Sequence, residues 1–370
     1  MAYYRKRNGI WSYTIELPRG PNGERRQKYK GGFESRREAI KEATAIESEV
    51  FSGDYIPDNE LTISELIDLW ILVYKPTVKI SSFATREIEI NHVRNLTGTL
   101  KVQDFSKRYY QETINRIVKE KGIRFARRIH IVFNMLFKYA IRIDLLKSNP
   151  TEGCWLPKIE DKKTDISYLE KAELSLFLSI AKEYDLYYEV LRFLAYSGCR
   201  VGEAVALTWD DIDGNTVTIN KTLYFLNGKH SGEHIQNPKT KASNRQIIID
   251  DETLAIISKL KTKQLERRLQ GLEPTNFIFT KPNGSIVKAA RVNAFFKIIL
   301  RRAGIDKKLT LHSLRHTHAS ILAAAGVPLE EVQKRLGHSN DEITRNIYYH
   351  VTAERKSAAM DMFVKYMQIQ

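Results

Sequence analysis

Hydrophobic periodicity changes character twice along this chain, and both breaks fall where turn-forming residues gather. Residues 1–52 carry short stretches suited to strands, at 3–7, 11–16 and 25–29. Asn8-Gly9 and the loop from Pro18 to Gly23 separate them. Ser35-Arg36-Arg37-Glu38 has capping-box spacing and opens a helix to about residue 51. Residues 52–60, with Gly53, Pro57 and Asp58, read as a linker. Thr62-Ile63-Ser64-Glu65 repeats the capping-box spacing. Helical periodicity then recurs over 62–74, 82–96, 106–121 and 124–143, ending near Pro150. A polar, charged stretch at 156–166, bounded by Pro157, reads as a hinge. Beyond it, helices are expected at 170–181, 187–197, 251–270, 291–303 and from 311 onward, around strand-rich patches at 216–225 and 245–249. The expected fold class is multidomain α+β. A small three-stranded β-sheet with a helix covers 1–52, an all-helical domain covers 60–155, and a mostly helical domain with a small antiparallel sheet covers 167–370.

A chain of 370 residues is long enough for two or three such cores. No apolar run approaches the length of a membrane span, and the polar, basic stretch Met1 to Gly9 has no apolar segment behind it, so neither membrane insertion nor secretion is expected. Cys154 and Cys199 are too few for a disulfide framework or a cysteine zinc site, which makes a reducing cytosol the simplest compartment. Charge is the informative bulk property. Lys plus Arg number 59 against 44 Asp plus Glu, a net of +15, which suits a polyanionic partner. Residues 1–41 hold eleven Lys or Arg and four Asp or Glu. Tyr3, Tyr4, Trp11, Tyr13 and Tyr29 are interleaved with them, and these aromatics are expected to pack inward. Arg5, Lys6, Arg7, Arg25, Arg26 and Lys28 then become candidates for phosphate contacts, with Arg124, Arg127 and Arg128 in the helical domain.

Three segments of the last domain carry chemistry. One runs from Ser197 to Ala204, with Gly198 and Gly202 flanking Arg200 and permitting close approach of backbone or ligand. A second, from Asn237 to Arg245, includes Lys239 and Lys241. The third holds His312-Ser313-Leu314-Arg315-His316, Leu336-Gly337-His338-Ser339 and Thr344 through His350. His312 and Arg315 share a helical face at i, i+3. Guanidinium forks suit phosphate oxygens, Lys and His exchange protons with oxygen, and Tyr can act as a nucleophile. No carboxylate cluster accompanies them, so no metal or other cofactor is expected. His312 and His316 sit at i, i+4, but Ser313 stands where the zinc-protease motif needs Glu.

In this order the segments closely resemble the tyrosine recombinase, or phage-integrase, family, and the resemblance spans the chain. It implies an arm-type DNA-binding domain at 1–52, a SAM-like core-binding domain at 60–155 and a catalytic domain at 167–370. It also implies residue roles. Arg200 and Arg315 resemble the catalytic arginines, Glu203 the acidic residue supporting the first of them, and Lys239 the lysine of a β-hairpin. Lys241 is the alternative to that lysine and a further DNA contact. His312 and His338 resemble the two histidines. Tyr348 resembles the nucleophile, with Tyr349 beside it as a departure from the usual pattern. The implied partners are double-stranded DNA at core crossover sites and distal arm sites, a homotetramer in the synaptic complex, and an accessory DNA-bending or excision factor, all in the cytoplasm at the nucleoid. A type IB topoisomerase shares the chemistry, but the arm unit and the spacing argue against it. A regulator with a decayed site is disfavoured because every expected catalytic position is filled. The amphipathic tail, with Met360, Phe363, Val364 and Met367 as an apolar stripe, is expected to pack on its own domain or on a neighbouring subunit.

Overall fold

The computed structural model describes residues 2–19, 23–158, 167–226, 231–236, 244–271, 273–337 and 342–352, together with Val364 and Met367. It divides into two compact units, Met1–Glu160 and Asp161–Gln370. No helix among the described residues is long and apolar enough to cross a membrane.

The first unit opens with an antiparallel sheet of β1 (Tyr3–Arg7), β2 (Ile10–Leu17) and β3 (Arg26–Phe33) in sequence order. Asn8 and Gly9 both take positive φ, at 48° and 81°, the conformation a two-residue hairpin turn requires. One sheet face packs Tyr13 and Ile15 against Ala39 and Ala43 of α1 (Arg36–Ser52). Only the forward half of the expected capping box is recorded here, with the Ser35 hydroxyl accepting from the Glu38 N–H. A second, larger core lies among α2 (Ile63–Tyr74), α3 (Ile80–Thr97), α4 (Lys107–Lys121) and α5 (Ile123–Arg142). The Thr62–Glu65 box is reciprocal. Apolar residues recurring at three- and four-residue spacing on α5, from Ala126 through Ile129, Phe133, Leu136 and Phe137 to Ala140, form the seam on which the other helices close.

The second unit runs α6 (Lys171–Ala181), α7 (Leu186–Ser197), the single turn α8 (Val201–Ala204), β4 (Ile212–Asp213), β5 (Thr216–Ile219), β6 (Thr222–Leu226), β7 (Gly232–Gln236), β8 (Arg245–Ile248), α9 (Asp251–Leu269), α10 (Ala289–Arg302), α11 (Ser313–Ala325), α12 (Leu329–Leu336) and α13 (Glu342–Thr352). Residues 216–225, expected to be strand-rich, hold two strands that join different sheets. β5 pairs with β4 and β8, whereas β6 pairs with β7. Lys221 lies between β5 and β6, where its ammonium donates to the Asp211 carboxylate and the Thr208 hydroxyl. The core gathers α6, α7, α10 and the start of α11, with Phe177, Phe193, Phe279 and Phe296 fully buried.

Candidate active site

α7 ends at Gly198, which takes φ 67° and carries its N–H to the Leu194 carbonyl. A Cβ there would lie 2.7 Å from both the His318 ring and the Leu336 side chain, so the glycine admits α11 and α12 to the turn that presents Arg200. At Gly202 a Cβ would meet Thr222 at 2.8 Å and the Leu223 carbonyl at 3.0 Å. The two glycines expected to permit close approach therefore do so, Gly198 toward α11 and α12 and Gly202 toward β6.

Arg200 precedes α8 and donates through Nη1 to Glu203 Oε1 at 2.8 Å, and its backbone N–H donates to Glu203 Oε2 at 3.1 Å. Glu203 is buried. Burial alone would raise its carboxyl, but Arg245 and then Arg200 outweigh that and hold it below the usual carboxylate range. Arg315 is only 1% exposed and turns inward from the first turn of α11. Its Nη1 donates to the Gly198 carbonyl at 2.8 Å and its Nη2 to the Leu336 carbonyl at 2.6 Å. These carbonyls lie two residues from Arg200 and two from His338. Burial, and next the like charge of Arg200, push Arg315 down to about 9. An anion seated against both arginines would reverse that push.

Tyr348 is half-buried on α13, four residues after the buried Thr344 and next to Ile347. Ile347 packs with Ala319 of α11 and with Val332 and Leu336 of α12. Tyr349 faces outward and is 55% exposed. His312 is exposed at the start of α11, its ring packed edge-on to His316 with centroids 4.8 Å apart. Lys239, Lys241 and His338 lie outside the described residues.

The model of the phage integrase family matches residues 167–355, just over half of the chain. The chain belongs to that family. It is a site-specific recombinase of the prophage or conjugative-transposon type, and the family's enzymes cleave and rejoin DNA. An arm DNA-binding domain also matches residues 1–50, and the N-terminal SAM-like domain of phage integrases matches 62–118. A tyrosine recombinase XerC-like protein of Caldanaerobacter subterraneus is 26% identical, with 97% of each chain covered. The Tn1549 transposon integrase, solved with circular intermediate DNA, superposes with a TM-score of 0.65 at 24% identity, covering 82% of this chain and 99% of that one. A lambda integrase tetramer on a Holliday junction gives 0.60 at 19% identity, covering 94% of each chain.

The recombinase's arm sheet sorts its basic residues by face. Thr14 pairs with Tyr3 on one side and Tyr29 on the other, and Ser12 pairs with Arg5 and Gly31. Tyr3, Arg5, Arg7 and Tyr29 therefore share the open face. Both tyrosines are 70% exposed, which corrects the expectation that all five aromatics pack inward. Only Tyr13 is buried, with Tyr4 and Trp11 half-buried. The tyrosines follow the strand alternation, because the partner in register with both is the outward-facing Thr14. Lys6 and Lys28 fall on the helix side, Lys6 over the Trp11 ring and Lys28 paired with Asp58 at 2.8 Å. Arg25 pairs with Glu16, and Arg26 with Glu24 at 2.8 Å. In the helical core Arg124 is exposed, Arg127 donates to the Pro157 carbonyl, and Arg128 lies over Phe125 with Glu89 at 3.6 Å.

Three residues of the site escaped the sequence reading of roles. Arg245 is buried on β8 between Glu203 and the Arg335 carbonyl, and its signal was phase, since it alternates with buried Ile247 and Ile249. Arg335 donates to His318 Nε2 and to the Ile248 and Tyr196 carbonyls. His318 is fixed as neutral by its partners. The Ala195 carbonyl can only accept from Nδ1, and the Arg335 Nε can only donate to Nε2. Burial, and next Arg335, lower it to about 3.

Proposed function

We propose that this recombinase integrates and excises a mobile element by strand exchange through Tyr348. The Tyr348 hydroxyl attacks the scissile phosphate in line. The phenolic oxygen–phosphorus bond forms, the bond to the 5′ oxygen breaks, and a 3′-phosphotyrosyl enzyme and a free 5′ hydroxyl result. The 5′ hydroxyl of a partner strand then attacks the phosphotyrosine, releasing Tyr348 and resealing the DNA. The phosphodiester energy is conserved in the covalent link, so the reaction needs neither ATP nor another nucleophile.

Arg200 and Arg315 hold the non-bridging oxygens, where charge develops, and losing one such donor costs roughly 10²–10³ in rate. Lys239 protonates the departing 5′ oxygen, with Lys241 as the alternative and as a DNA contact. His312 accepts the tyrosine proton, His338 donates to the phosphate, and Glu203 orients Arg200. The observation that carries this reading is the charge gathered at the Arg200 turn, where Arg200 and Arg245 both bond the Glu203 carboxylate and buried Arg315 feels the like charge of Arg200. Such a cluster favours a bound anion. The half-buried position of Tyr348, against the exposed Tyr349, supports Tyr348 as the nucleophile.

Residues 1–52 act as the arm-site reader, 60–155 as the core-site clamp and 167–370 as the catalytic domain. The lambda tetramer supports a tetrameric synapse for this chain, working in the bacterial cytoplasm on nucleoid DNA with an accessory bending or excision factor. Covalent trapping on a nicked suicide substrate bearing the element's end sequence tests the reaction. Wild type and Tyr349→Phe are expected to give a DNA-linked band, and Tyr348→Phe none. Loss of the band in Tyr349→Phe alone would move the nucleophile. No band from wild type bound to the same DNA would refute the catalytic reading.

A further inference from the structure

We propose that Arg245 is a positioning residue for cleavage, acting through Glu203 on Arg200. The inference rests on the catalytic reading above and assigns a role to a residue outside its set of reacting groups.

The Arg245 side chain is 5% exposed, as is that of Glu203. Burying a guanidinium is costly unless partners compensate, and replacing a whole buried ion pair by apolar groups is often neutral or stabilising, whereas removing one partner alone strands the other charge. The position lies in phase with Ile247 and Ile249, so a hydrophobic side chain would satisfy the core there. Stability therefore gives no reason for the buried pair, and its contacts give one. Arg245 Nη2 donates to Glu203 Oε2 at 2.9 Å. That oxygen also takes the Arg200 backbone N–H, while Oε1 takes the Arg200 guanidinium. Arg245 thereby fixes the rotation of the carboxylate about which the Arg200 turn and side chain are both set.

A second contact ties this to the rest of the site. Arg245 Nε donates to the Arg335 carbonyl at 2.8 Å, and Arg315 Nη2 donates to the next carbonyl, that of Leu336. Two guanidiniums thus grip consecutive carbonyls at the C-terminal end of α12, a favourable place for cations. The strand that begins at Arg245 also follows directly on the segment containing Lys239. One buried side chain therefore links β8, the Arg200–Glu203 pair and the helix end held by Arg315.

The test uses the full chain and single-turnover cleavage of the nicked suicide substrate, with DNA affinity and melting temperature measured alongside. Arg245→Met is expected to melt below wild type, because buried Glu203 loses one of its cations, and, at temperatures where it is folded, to bind DNA within about threefold and to cleave roughly 10²-fold more slowly, the scale of a misaligned oxyanion donor. Arg245→Lys retains charge near Glu203 and is expected to regain at least about tenfold of that loss. The double variant Arg245→Met/Glu203→Gln is expected to be no slower than Glu203→Gln alone, since both act through one carboxylate. A substrate with a 5′-bridging sulfur, whose thiolate departs without a general acid, separates this route from one through Lys239, and the Arg245→Met defect is expected to persist on it. Cleavage by Arg245→Met within about threefold of wild type, additive losses in the double variant, or relief by the sulfur substrate would each overturn the proposal. So would a matching fall in melting temperature and rate that Arg245→Lys does not reverse. A wild type that forms no Tyr348-dependent adduct would overturn the catalytic reading and this inference with it, whereas a wild-type adduct beside any of the other results overturns this inference alone.

Discussion

Replacing Gly198 by alanine should damage both the fold and the site, by an amount the local geometry sets. The residue holds φ 67°, which costs an L side chain about 1–2 kcal/mol. The added Cβ would stand 2.7 Å from the His318 ring and 2.7 Å from a Leu336 methyl. Both neighbours are buried, and overpacking of this kind costs about 1–3 kcal/mol. Reduced freedom of the unfolded chain returns about 0.4–1 kcal/mol, leaving a net loss of roughly 1–4 kcal/mol. Gly304 supplies the control, because it holds a similar φ of 65° with nothing within 4 Å of its would-be Cβ. Gly304→Ala should bear the backbone cost alone. Urea unfolding of the full chain, followed through the transition that reports Trp209, measures both. Relief of the Gly198→Ala clash must displace His318 or Leu336, and the Leu336 carbonyl is one that holds Arg315. Adduct formation on the suicide substrate should therefore fall at least tenfold at temperatures where the variant is folded. Equal destabilisation at the two glycines, or an unimpaired cleavage rate in folded Gly198→Ala, would refute this account of the glycine.

Two further outcomes follow from the same geometry. His318 is held neutral with its ring lowered to about 3, so as pH falls below the ordinary value of about 6.5 the unfolded chain takes up the proton first. Stability is therefore lost as pH falls, by about 2 kcal/mol from this group at pH 5. Glutamine can both donate to Ala195 and accept from Arg335, so His318→Gln should shrink the difference in urea midpoint between pH 7.5 and pH 5; an unchanged difference would count against His318 as its source. On the arm sheet, Arg5→Ala and Arg7→Ala should each lower the salt slope of arm-site DNA binding by about one, and Lys6→Ala by less. Equal slopes for all three variants, measured by fluorescence anisotropy, would mean that the open face is not the binding face.

Local rules carried the sequence a long way where both partners lie near in sequence. The Thr62–Glu65 box forms reciprocally, the Asn8-Gly9 turn joins β1 to β2, and α5 shows the apolar spacing that the pattern required. The failures involve distant partners. Tyr29 looked like a core aromatic by type, but its register with Thr14 and Tyr3 puts it on the open face. Arg245 could be read as inward-facing from its phase with Ile247 and Ile249. Its role could not, because Glu203 lies 42 residues away in sequence and Arg335 lies 90 away. Arg200, Glu203 and Arg315 could be singled out from the sequence, whereas the long-range contacts of Arg315 and Arg245 could not.

Those contacts follow a pattern that bears on how the site meets its substrate. Arg315, the most deeply buried guanidinium, is anchored by backbone carbonyls of Gly198 and Leu336. A carboxylate anchor would have compensated its burial more fully, but it would also have competed with the incoming phosphate for the same donors. Carbonyl dipoles fix the orientation of the guanidinium. The carboxylate the site does contain, on Glu203, is shared between Arg200 and Arg245, so its charge is spread over two cations and leaves the cluster positive. Burial, and next the like charge of Arg200, lower Arg315. On the proposed mechanism, a phosphate seated against Arg200 and Arg315 would offset that lowering, most strongly as transition-state charge builds on the non-bridging oxygens, and would thereby favour cleavage as well as binding.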